Sequence, residues 1–219
     1  MNVLLFGATG MIGQGVLRAC LLDPTVTRVI SVSRRPTGKS DPKLHEFVQG
    51  DVTNLSPLGV ELRTIDACLF TLGVSSVGQS EAEYTRTTYD LTMKVAEQCV
   101  KANPSMTFIY VSGRSTDSTE NGSAMWARVK GRLENSLLKL PFGRAYMFRP
   151  AAIIPQHGIR SSTKLYNVLY VILKPIFPIL RRLSPTSVTT TDQLSSAMIT
   201  VARDGYKKPI LEMEDIITF

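Results

Sequence analysis

Three glycines near the start of the chain have the spacing of a site that binds a dinucleotide pyrophosphate. Gly7, Gly10 and Gly13 recur every three residues in LLFGATGMIGQG, directly after an apolar run and at the opening of a helical pattern. In such a unit the first glycine permits a tight turn, the second lets the backbone approach the pyrophosphate, and the third lets the helix pack on the strand. Unpaired N–H groups at the helix start then face the anion. A tight turn without a ligand explains three glycines in register less well.

The residues that follow the next two apolar runs suit the adenosine end of such a ligand. The sequence ISVSRRP places Ser33, Arg34 and Arg35 where NAD-binding sites usually carry an acid for the ribose 2′-hydroxyl. Arginines can instead pair with a 2′-phosphate and stack on the adenine, so we expect NADP(H) in preference to NAD(H), unless the pair is merely solvated. Asp51, in QGDVTN, suits an acceptor for the adenine amino group, or a helix cap for the segment beginning near Thr53.

A tryptophan and a lysine stand four residues apart in MWARVK, at the start of an amphipathic helical pattern. Positions i and i+4 lie on one helix face, so Trp126 and Lys130 are expected to be neighbours. An indole N–H donates a hydrogen bond, but it neither gives up nor takes a proton near neutral pH. The pair can therefore position a ligand, and Trp126 itself cannot relay a proton.

The elements that must position these residues alternate in a βαβ pattern. Short apolar runs separated by helical patterns are typical of a parallel sheet covered on both faces. The predicted strands are Val3–Phe6, Val29–Val32, Phe47–Val48, Ala67–Leu72, Thr107–Val111 and Ala145–Phe148, with a further strand around Ile210–Phe219. The predicted helices are Met11–Leu22, Glu81–Ala102, Ala124–Leu138 and a segment near Asp192–Ala202. We therefore expect a doubly wound α/β fold of the Rossmann type over residues 1–219 as one domain, with 156–190 as a small substrate-side or contact segment.

The glycine loop, Arg34-Arg35, the GDV sequence at Asp51 and the TLG sequence at Thr71–Gly73 occur in the order seen in the short-chain dehydrogenase/reductase superfamily, which the chain resembles. FIYVSGRSTDST and the following MWARVKGRLENSLLKLPFGRAYMFRPAAII are especially similar to its atypical branch, in particular the Tat-interacting-protein group and its bacterial relatives. The resemblance covers nearly the whole chain and is strongest over residues 1–155. It implies a mainly seven-stranded parallel sheet.

The same resemblance implies a role for each site residue. Catalytically competent members carry a serine or threonine at the end of the fifth strand and a Tyr-x-x-x-Lys on the next helix. Ser112 fits the first place and Lys130 the last, whereas Trp126 stands where the tyrosine is expected. Ser112 and Lys130 are thus the candidate catalytic residues, with Lys130 also holding the nicotinamide ribose. The candidate cofactor-binding residues are Gly7, Thr9, Gly10, Met11, Ile12, Ser33, Arg34, Arg35, Asp51, Val52, Leu72, Gly73, Val74 and Lys130.

Other residues are weaker candidates. A displaced acid from Tyr110, Tyr84 or Tyr89 is one substitute for the missing tyrosine. Arg149 either receives an acidic substrate or holds its own loop, and His157 lies in the next loop, where a lone histidine is more often simply exposed. The basic, apolar stretch Leu165–Leu183 suits a lid or a subunit contact better than an interfacial membrane helix, because Pro175 and Pro178 interrupt it.

Composition limits the class of protein. The chain has 219 residues with 43% hydrophobic and 20% charged residues, an ordinary globular balance without a transmembrane stretch. The net charge is +7, but the sequence has no dense runs of basic residues interleaved with aromatic residues, which nucleic-acid binding would need. Cys20, Cys68 and Cys99 lie in apolar contexts that favour reduced, buried thiols. The first residues predict a strand and not a signal peptide, so we expect a cytoplasmic protein.

Two functional hypotheses remain. The first is an NADP(H)-binding atypical short-chain dehydrogenase-like protein, an oxidoreductase acting on an unidentified carbonyl or hydroxyl compound. The second is a non-catalytic NADP(H)-binding regulator or assembly factor, which would pass cofactor occupancy to a protein partner. The two share a cofactor site and differ in turnover.

Overall fold

Strands and helices alternate along the chain, as the apolar runs predict. The computed structural model describes residues 1–159 and 185–219, so the apolar stretch Leu165–Leu183 lies outside the described residues. The strands are β1 Asn2–Phe6, β2 Arg28–Ser33, β3 Leu44–Val48, β4 Ala67–Phe70, β5 Thr107–Val111, β6 Arg144–Phe148, β7 Ala152–Ile154, β8 Val188–Thr190 and β9 Ile210–Leu211. The α-helices are α1 Met11–Leu22, α2 Glu81–Thr85, α3 Leu91–Ala102, α4 Met125–Lys139, α5 Thr191–Asp204 and α6 Met213–Ile216.

Seven strands form one parallel sheet in the order β3-β2-β1-β4-β5-β6-β9, and β7 pairs with β8 in a separate parallel pair. The strand order reverses direction between β1 and β4, which is where open α/β sheets bind their ligands. Phe6 of β1 is in register with Phe70 of β4, which is in turn in register with Tyr110 of β5. The loops that begin at Gly7, Thr71 and Ser112 therefore leave the same edge of the sheet.

Helices cover both faces of this sheet. On one face Val3 and Leu5 of β1 pack in a core cluster with residues of α1 and α5. On the other face Leu4 and Phe6 pack with Phe70 and with residues of α3 and α4. Alternate residues of one strand thus enter two separate cores, as the period of two along a strand requires. The expected doubly wound Rossmann architecture is confirmed.

Two predicted elements differ in detail. The predicted helix Glu81–Ala102 is interrupted by a π-helical turn at Arg86–Asp90, between α2 and α3. The predicted last strand, Ile210–Phe219, was wrong beyond Leu211, because Glu212 and Asp215 form a reciprocal capping box that starts α6. The cap satisfies backbone N–H groups at the start of the helix and so ends the strand. The three cysteines are buried free thiols, as expected.

Gly131 on α4 seats the loop between β5 and α4. A Cβ atom at this position would lie 1.7 Å from the carbonyl oxygen of Asp117. The Asp117 N–H donates to the Ala127 carbonyl at 3.1 Å, and its carboxylate accepts from the backbone N–H groups of Thr119 and Gly122. The loop is therefore held against the helix one residue away from Lys130.

We expect Gly131→Ala to destabilise the protein. Helix propensity alone would favour alanine by about 1 kcal/mol, but overlap with the Asp117 backbone should reverse the sign and lower the free energy of unfolding by roughly 2 kcal/mol. Urea denaturation of this variant and of Gly50→Ala measures the difference. Gly50 is an exposed control with nothing within 4 Å of its Cβ position, and equal stabilities for the two variants would contradict the prediction.

Candidate functional site

The glycine loop after β1 is built on backbone contacts that exclude side chains. Gly7 has a φ of +87°, and a Cβ atom there would lie 2.7 Å from Thr71 Oγ1 and 2.8 Å from the Leu72 nitrogen. A Cβ atom at Gly13 would lie 1.9 Å from the Gly7 carbonyl oxygen. The turn, the start of α1 and the end of β4 are therefore packed together through their main chains.

The start of α1 has the features of an anion site. Gly10 is the N-cap residue, and its N–H donates to the Gly7 carbonyl at 2.8 Å. The first turn carries no acidic residue, and no side chain caps it. Met11 and Ile12 pack their side chains against the core, which leaves their backbone N–H groups at the positive end of the helix. A cradle shaped by absent Cβ atoms and lined by N–H donors fits a dinucleotide pyrophosphate.

Residues at the ends of β2 and β3 lie at the expected adenosine side. The Ser33 hydroxyl is used within its own turn, donating to the Arg35 carbonyl at 2.6 Å. Arg34 and Arg35 are exposed, and among the described residues neither guanidinium group makes an ion pair. Val52 is buried in the core, so it offers only its backbone.

Asp51 uses one carboxylate oxygen in its own turn. Its Oδ1 accepts from the Thr53 N–H at 2.9 Å and from the Thr53 hydroxyl at 2.6 Å, and these bonds lower the pKa of the exposed carboxyl group. The expected helix cap near Thr53 is a turn cap instead, since the following 3-10 helix begins at Ser56. The other oxygen, Oδ2, lies 3.7 Å from Lys94 Nζ and faces solvent with it. One acceptor thus stays accessible to a ligand.

The segment that follows β4, Leu72 to Val74, lies at the edge of the core and is partly open to solvent. Leu72 packs against the core at its edge, and Val74 is 41% exposed. A Cβ atom at Gly73 would have nothing within 4 Å. The backbone of this segment borders the glycine loop through the contacts of Gly7 with Thr71 and Leu72.

The structure brings Ser112 and Lys130 together at the end of β5. Ser112 is 7% exposed, and its carbonyl accepts a 2.9 Å hydrogen bond from Lys130 Nζ. Its hydroxyl lies 2.9 Å from the hydroxyl of Thr116, which in turn donates to the Gly113 carbonyl at 2.8 Å. Sequence reasoning missed Thr116, although a hydroxyl residue four positions after Ser112 in the same loop was visible.

Lys130 is an amine in an unusual electrostatic setting. The residue is half-buried, and removal of its ammonium group from water lowers its pKa to about 8, an effect that the negative charge of Glu134 partly opposes. Its Nζ also lies 5.9 Å from the centre of the Tyr110 ring. The pKa of this amine therefore lies closer to neutral pH than that of an ordinary lysine.

None of the tyrosines considered as substitutes for the missing acid is placed to act. Tyr110 is 2% exposed and Tyr84 is equally buried, and in both cases burial raises the pKa of the phenol. The Tyr89 hydroxyl lies 2.9 Å from the Ser136 hydroxyl, and Arg132 covers its ring at 4.6 Å. The burial of Tyr84 and Tyr110 and the bond of Tyr89 to Ser136 do not support a displaced acid at these three positions.

Arg149 lies in a buried ion-pair network. Its Nε lies 3.1 Å from both carboxylate oxygens of Glu134, which is fully buried, and its Nη1 donates to Glu212 at 2.9 Å. Its Nη2 donates to the Ser118 hydroxyl and again to Glu134. This guanidinium holds α4, the loop after β5 and the start of α6 together. Its bonds support the structural role and not the reception of an acidic substrate.

His157 lies apart from Ser112 and Lys130. Its Nε2 lies 2.6 Å from Asp192 Oδ2, and the residue has a φ of +54°. It borders a cavity of about 590 Å³ between α1 and the loop after β2, together with Thr9, Gln14 and Lys39 among others. Ser112 and Lys130 do not line this cavity. The catalytic role considered for His157 is therefore not supported.

Comparison with known proteins assigns the family. Residues 3–176 match the NAD dependent epimerase/dehydratase family. The chain belongs to this family. Dinucleotide binding is a property of this family. The resemblance to the atypical short-chain dehydrogenase/reductase branch is confirmed.

Proteins of known sequence and proteins of known structure both resemble the chain. The FMP52 protein of Chaetomium globosum is 24% identical, over 71% of this chain and 67% of the relative. The fmp52 protein of Aspergillus clavatus is 31% identical, over 71% and 68% respectively. A short-chain dehydrogenase/reductase of Saccharomyces cerevisiae superposes with a TM-score of 0.68 at 15% identity, covering 98% of this chain and 96% of the other. The Bordetella bronchiseptica enzyme WbmH in complex with NAD⁺ gives 0.65 at 18% identity, covering 96% and 75%. The structural neighbours share the fold.

The relatives also correct the expected location. The FMP52-type proteins are named as mitochondrial. The prediction of a cytoplasmic location from the first residues was therefore wrong. Among the helices that the structure describes, none has the length and apolarity to cross a membrane.

We expect Glu134→Gln to lower the free energy of unfolding of this protein by about 3 kcal/mol, because Arg149 would lose its buried counter-charge. Urea denaturation measures the change, with Glu97→Gln on the exposed face of α3 as the matched control. The double variant Glu134→Leu/Arg149→Met should lose less than Glu134→Gln, since it leaves no uncompensated buried charge in this pair. A loss for Glu134→Gln as small as that of the control would show that the network does not hold the loop.

Proposed function

We propose that this protein binds NADP(H) and acts as an oxidoreductase on a carbonyl or hydroxyl compound. The observation that carries the proposal is the placement of Lys130 on the Ser112 carbonyl at the sheet edge that also holds the glycine cradle. A bound dinucleotide would supply the hydride chemistry there. The chain's own residues bind and orient the reactants and handle the proton.

The binding roles follow the order of the sheet. The N–H groups at the start of α1, with Thr9 and Gly10, would hold the pyrophosphate, and Leu72, Gly73 and Val74 would border the cofactor beyond β4. Asp51 Oδ2 would accept the adenine amino group. Lys130 would contact the nicotinamide ribose while it keeps its bond to Ser112.

The preference for NADP(H) rests on Arg34 and Arg35. Both are exposed at the end of β2, and the turn that carries them is fixed by the Ser33 hydroxyl. A dianionic 2′-phosphate gains charge-assisted hydrogen bonds from such a pair, whereas a 2′-hydroxyl gains little. The WbmH enzyme has the same fold and its complex contains NAD⁺, so the preference for NADP(H) is argued from Arg34 and Arg35 and not from the fold.

A second candidate function is favoured by the residue at the position of the usual acid. Trp126 cannot transfer a proton, and Tyr84, Tyr89 and Tyr110 are held elsewhere. A protein that binds the cofactor without turnover could have a different affinity for a protein partner when NADP(H) is bound than when the site is empty. This non-catalytic regulator or assembly factor shares every binding residue with the oxidoreductase.

Calorimetric titration of the purified protein, freed of copurified nucleotide, tests the binding step. We expect NADPH to bind at least tenfold more tightly than NADH. The double variant Arg34→Ala/Arg35→Ala should lose most of that difference, because NADPH loses its phosphate contacts whereas NADH loses at most a stacking contact with the adenine. Arg63→Ala/Lys101→Ala is the matched control, because it removes the same charge from exposed residues at the opposite edge of the sheet. Failure of the wild type to bind either nucleotide would refute both candidate functions.

Replacement of Trp126 by tyrosine separates the two functions. If the site is an oxidoreductase, Trp126→Tyr adds a phenolic acid to the group that already supplies the proton. The NADPH-dependent reduction of 4-nitrobenzaldehyde should then rise by about tenfold, less than the roughly 10²-fold that general acid catalysis contributes where no other acid is present. Trp126→Phe is the control and should leave the rate near that of the wild type, since neither ring relays a proton. No turnover by the wild type or by Trp126→Tyr, with NADPH bound, would favour the regulator.

A further inference from the structure

The hydrogen bonds at the end of β5 fix which groups have protons to give. The Thr116 hydroxyl carries one proton and donates it to the Gly113 carbonyl at 2.8 Å. While it donates there, it can only accept in its 2.9 Å bond with Ser112, and the Ser112 hydroxyl is then the donor. The lone pairs of Ser112 Oγ remain for a ligand, and its proton is directed into the protein. In this arrangement Ser112 is an acceptor and not a proton donor.

The ammonium group of Lys130 has more N–H donors than hydrogen-bond acceptors among the described residues. An ammonium group has three N–H donors, and the bond to the Ser112 carbonyl uses one of them. Gly113 next to it carries no side chain, and even a Cβ atom there would lie 3.9 Å from Nζ. The Gly113 position thus places no side chain against the ammonium group.

The neighbouring charges leave this ammonium group without a carboxylate of its own. Glu134 lies one helical turn beyond Lys130 on α4, but both of its oxygens bind Arg149. Tyr110 from β5 contributes only a buried, neutral phenol. In the part of the chain that the structure describes, Lys130 forms no salt bridge.

We propose that Lys130 itself is the proton donor and acceptor of the reaction, in the place of the missing tyrosine. The inference rests on the proposed oxidoreductase function. In reduction of a carbonyl compound by NADPH, the carbonyl carbon receives the hydride and the π-electron pair moves to oxygen. That oxygen takes a proton from Nζ, the N–H electron pair stays on nitrogen, and the resulting neutral amine regains a proton from water. In oxidation of an alcohol by NADP⁺ the neutral amine takes the hydroxyl proton.

The pH dependence follows from the groups around Nζ. Burial lowers the pKa of Lys130 to about 8, and Glu134, already paired with Arg149, opposes this shift only in part. Tyr110 is uncharged in the same range because burial raises its pKa. Reduction needs the ammonium form, so its rate should be constant at low pH and fall above pH about 8. Oxidation needs the neutral amine and should rise through the same range.

The first test follows Lys130 directly and needs no turnover. Lysines of the wild-type protein are dimethylated with ¹³C-formaldehyde, and the Nζ-methyl resonance missing from Lys130→Arg is assigned to Lys130. We expect that resonance to titrate near pH 8, in contrast to the ordinary lysine value of about 10.4. A midpoint near the ordinary value overturns the inference.

The second test compares variants loaded with NADPH, with 4-nitrobenzaldehyde as the carbonyl probe. Lys130→Arg keeps a cation for the ribose but holds its proton across the whole range, so we expect NADPH affinity within a few-fold of the wild type and a rate at least 10²-fold lower. Lys139→Arg, at the exposed end of α4, is the matched control and should match the wild type. A Lys130→Arg rate within fivefold of the wild type, or a loaded wild type without any turnover of the probe, overturns the inference.

The outcomes separate this inference from the proposed function. Absence of NADPH binding refutes the function itself. Intact NADPH binding and a Trp126→Tyr variant that turns over the probe, combined with an ordinary titration of Lys130, would refute only the role of Lys130.

Discussion

The contact between the Gly7 carbonyl and the α-carbon of Gly13 determines the geometry of the whole site. It is too short for any side chain, since a Cβ atom at Gly13 would lie 1.9 Å from that oxygen. Through it α1 is drawn onto the end of β1, and through the contacts of Gly7 with Thr71 and Leu72 the same turn is fixed to the end of β4. Because β5 follows β4 in the sheet, Ser112 and Lys130 lie at the same edge. A ligand held at the start of α1 therefore faces the residues that would act on it.

Two networks divide the charges around this edge. One helical turn beyond Lys130 on α4, the buried carboxylate of Glu134 binds Arg149, which also bonds to Glu212 and Ser118. Lys130 itself has a backbone carbonyl as its hydrogen-bond partner. A carboxylate free to pair with Lys130 would hold its proton more firmly, whereas Glu134 held by Arg149 opposes the effect of burial only in part. The structural ion pair and the lowered pKa of the lysine are thus two consequences of one arrangement.

The consequence of having Trp126 in place of a tyrosine depends on which group supplies the proton. In a site that relied on a phenol, an indole at the same place would remove the acid. Here the hydroxyl protons of Ser112 and Thr116 are directed inward, and the group with protons to spare is an amine. The chemistry of the site then depends on the titration of Lys130, while Trp126 can shape the space beside it.

Much of this organisation was visible in the order of residues. The period of two in the strands, the glycine triplet and the apolar faces of the helices determined the parallel sheet and the point where its strand order reverses, because these depend on local spacing and on the burial of apolar side chains. The same spacing predicts which residues would surround a dinucleotide. Only the tertiary structure showed that the Ser112 and Thr116 hydroxyls bond to each other, that Arg149 pairs with Glu134 and Glu212, and that α6 replaces most of the last predicted strand. Hydrogen-bond partners and pKa values depend on which groups distant in sequence come within 3 Å of one another and on how much water they lose, and residue spacing along the chain specifies neither.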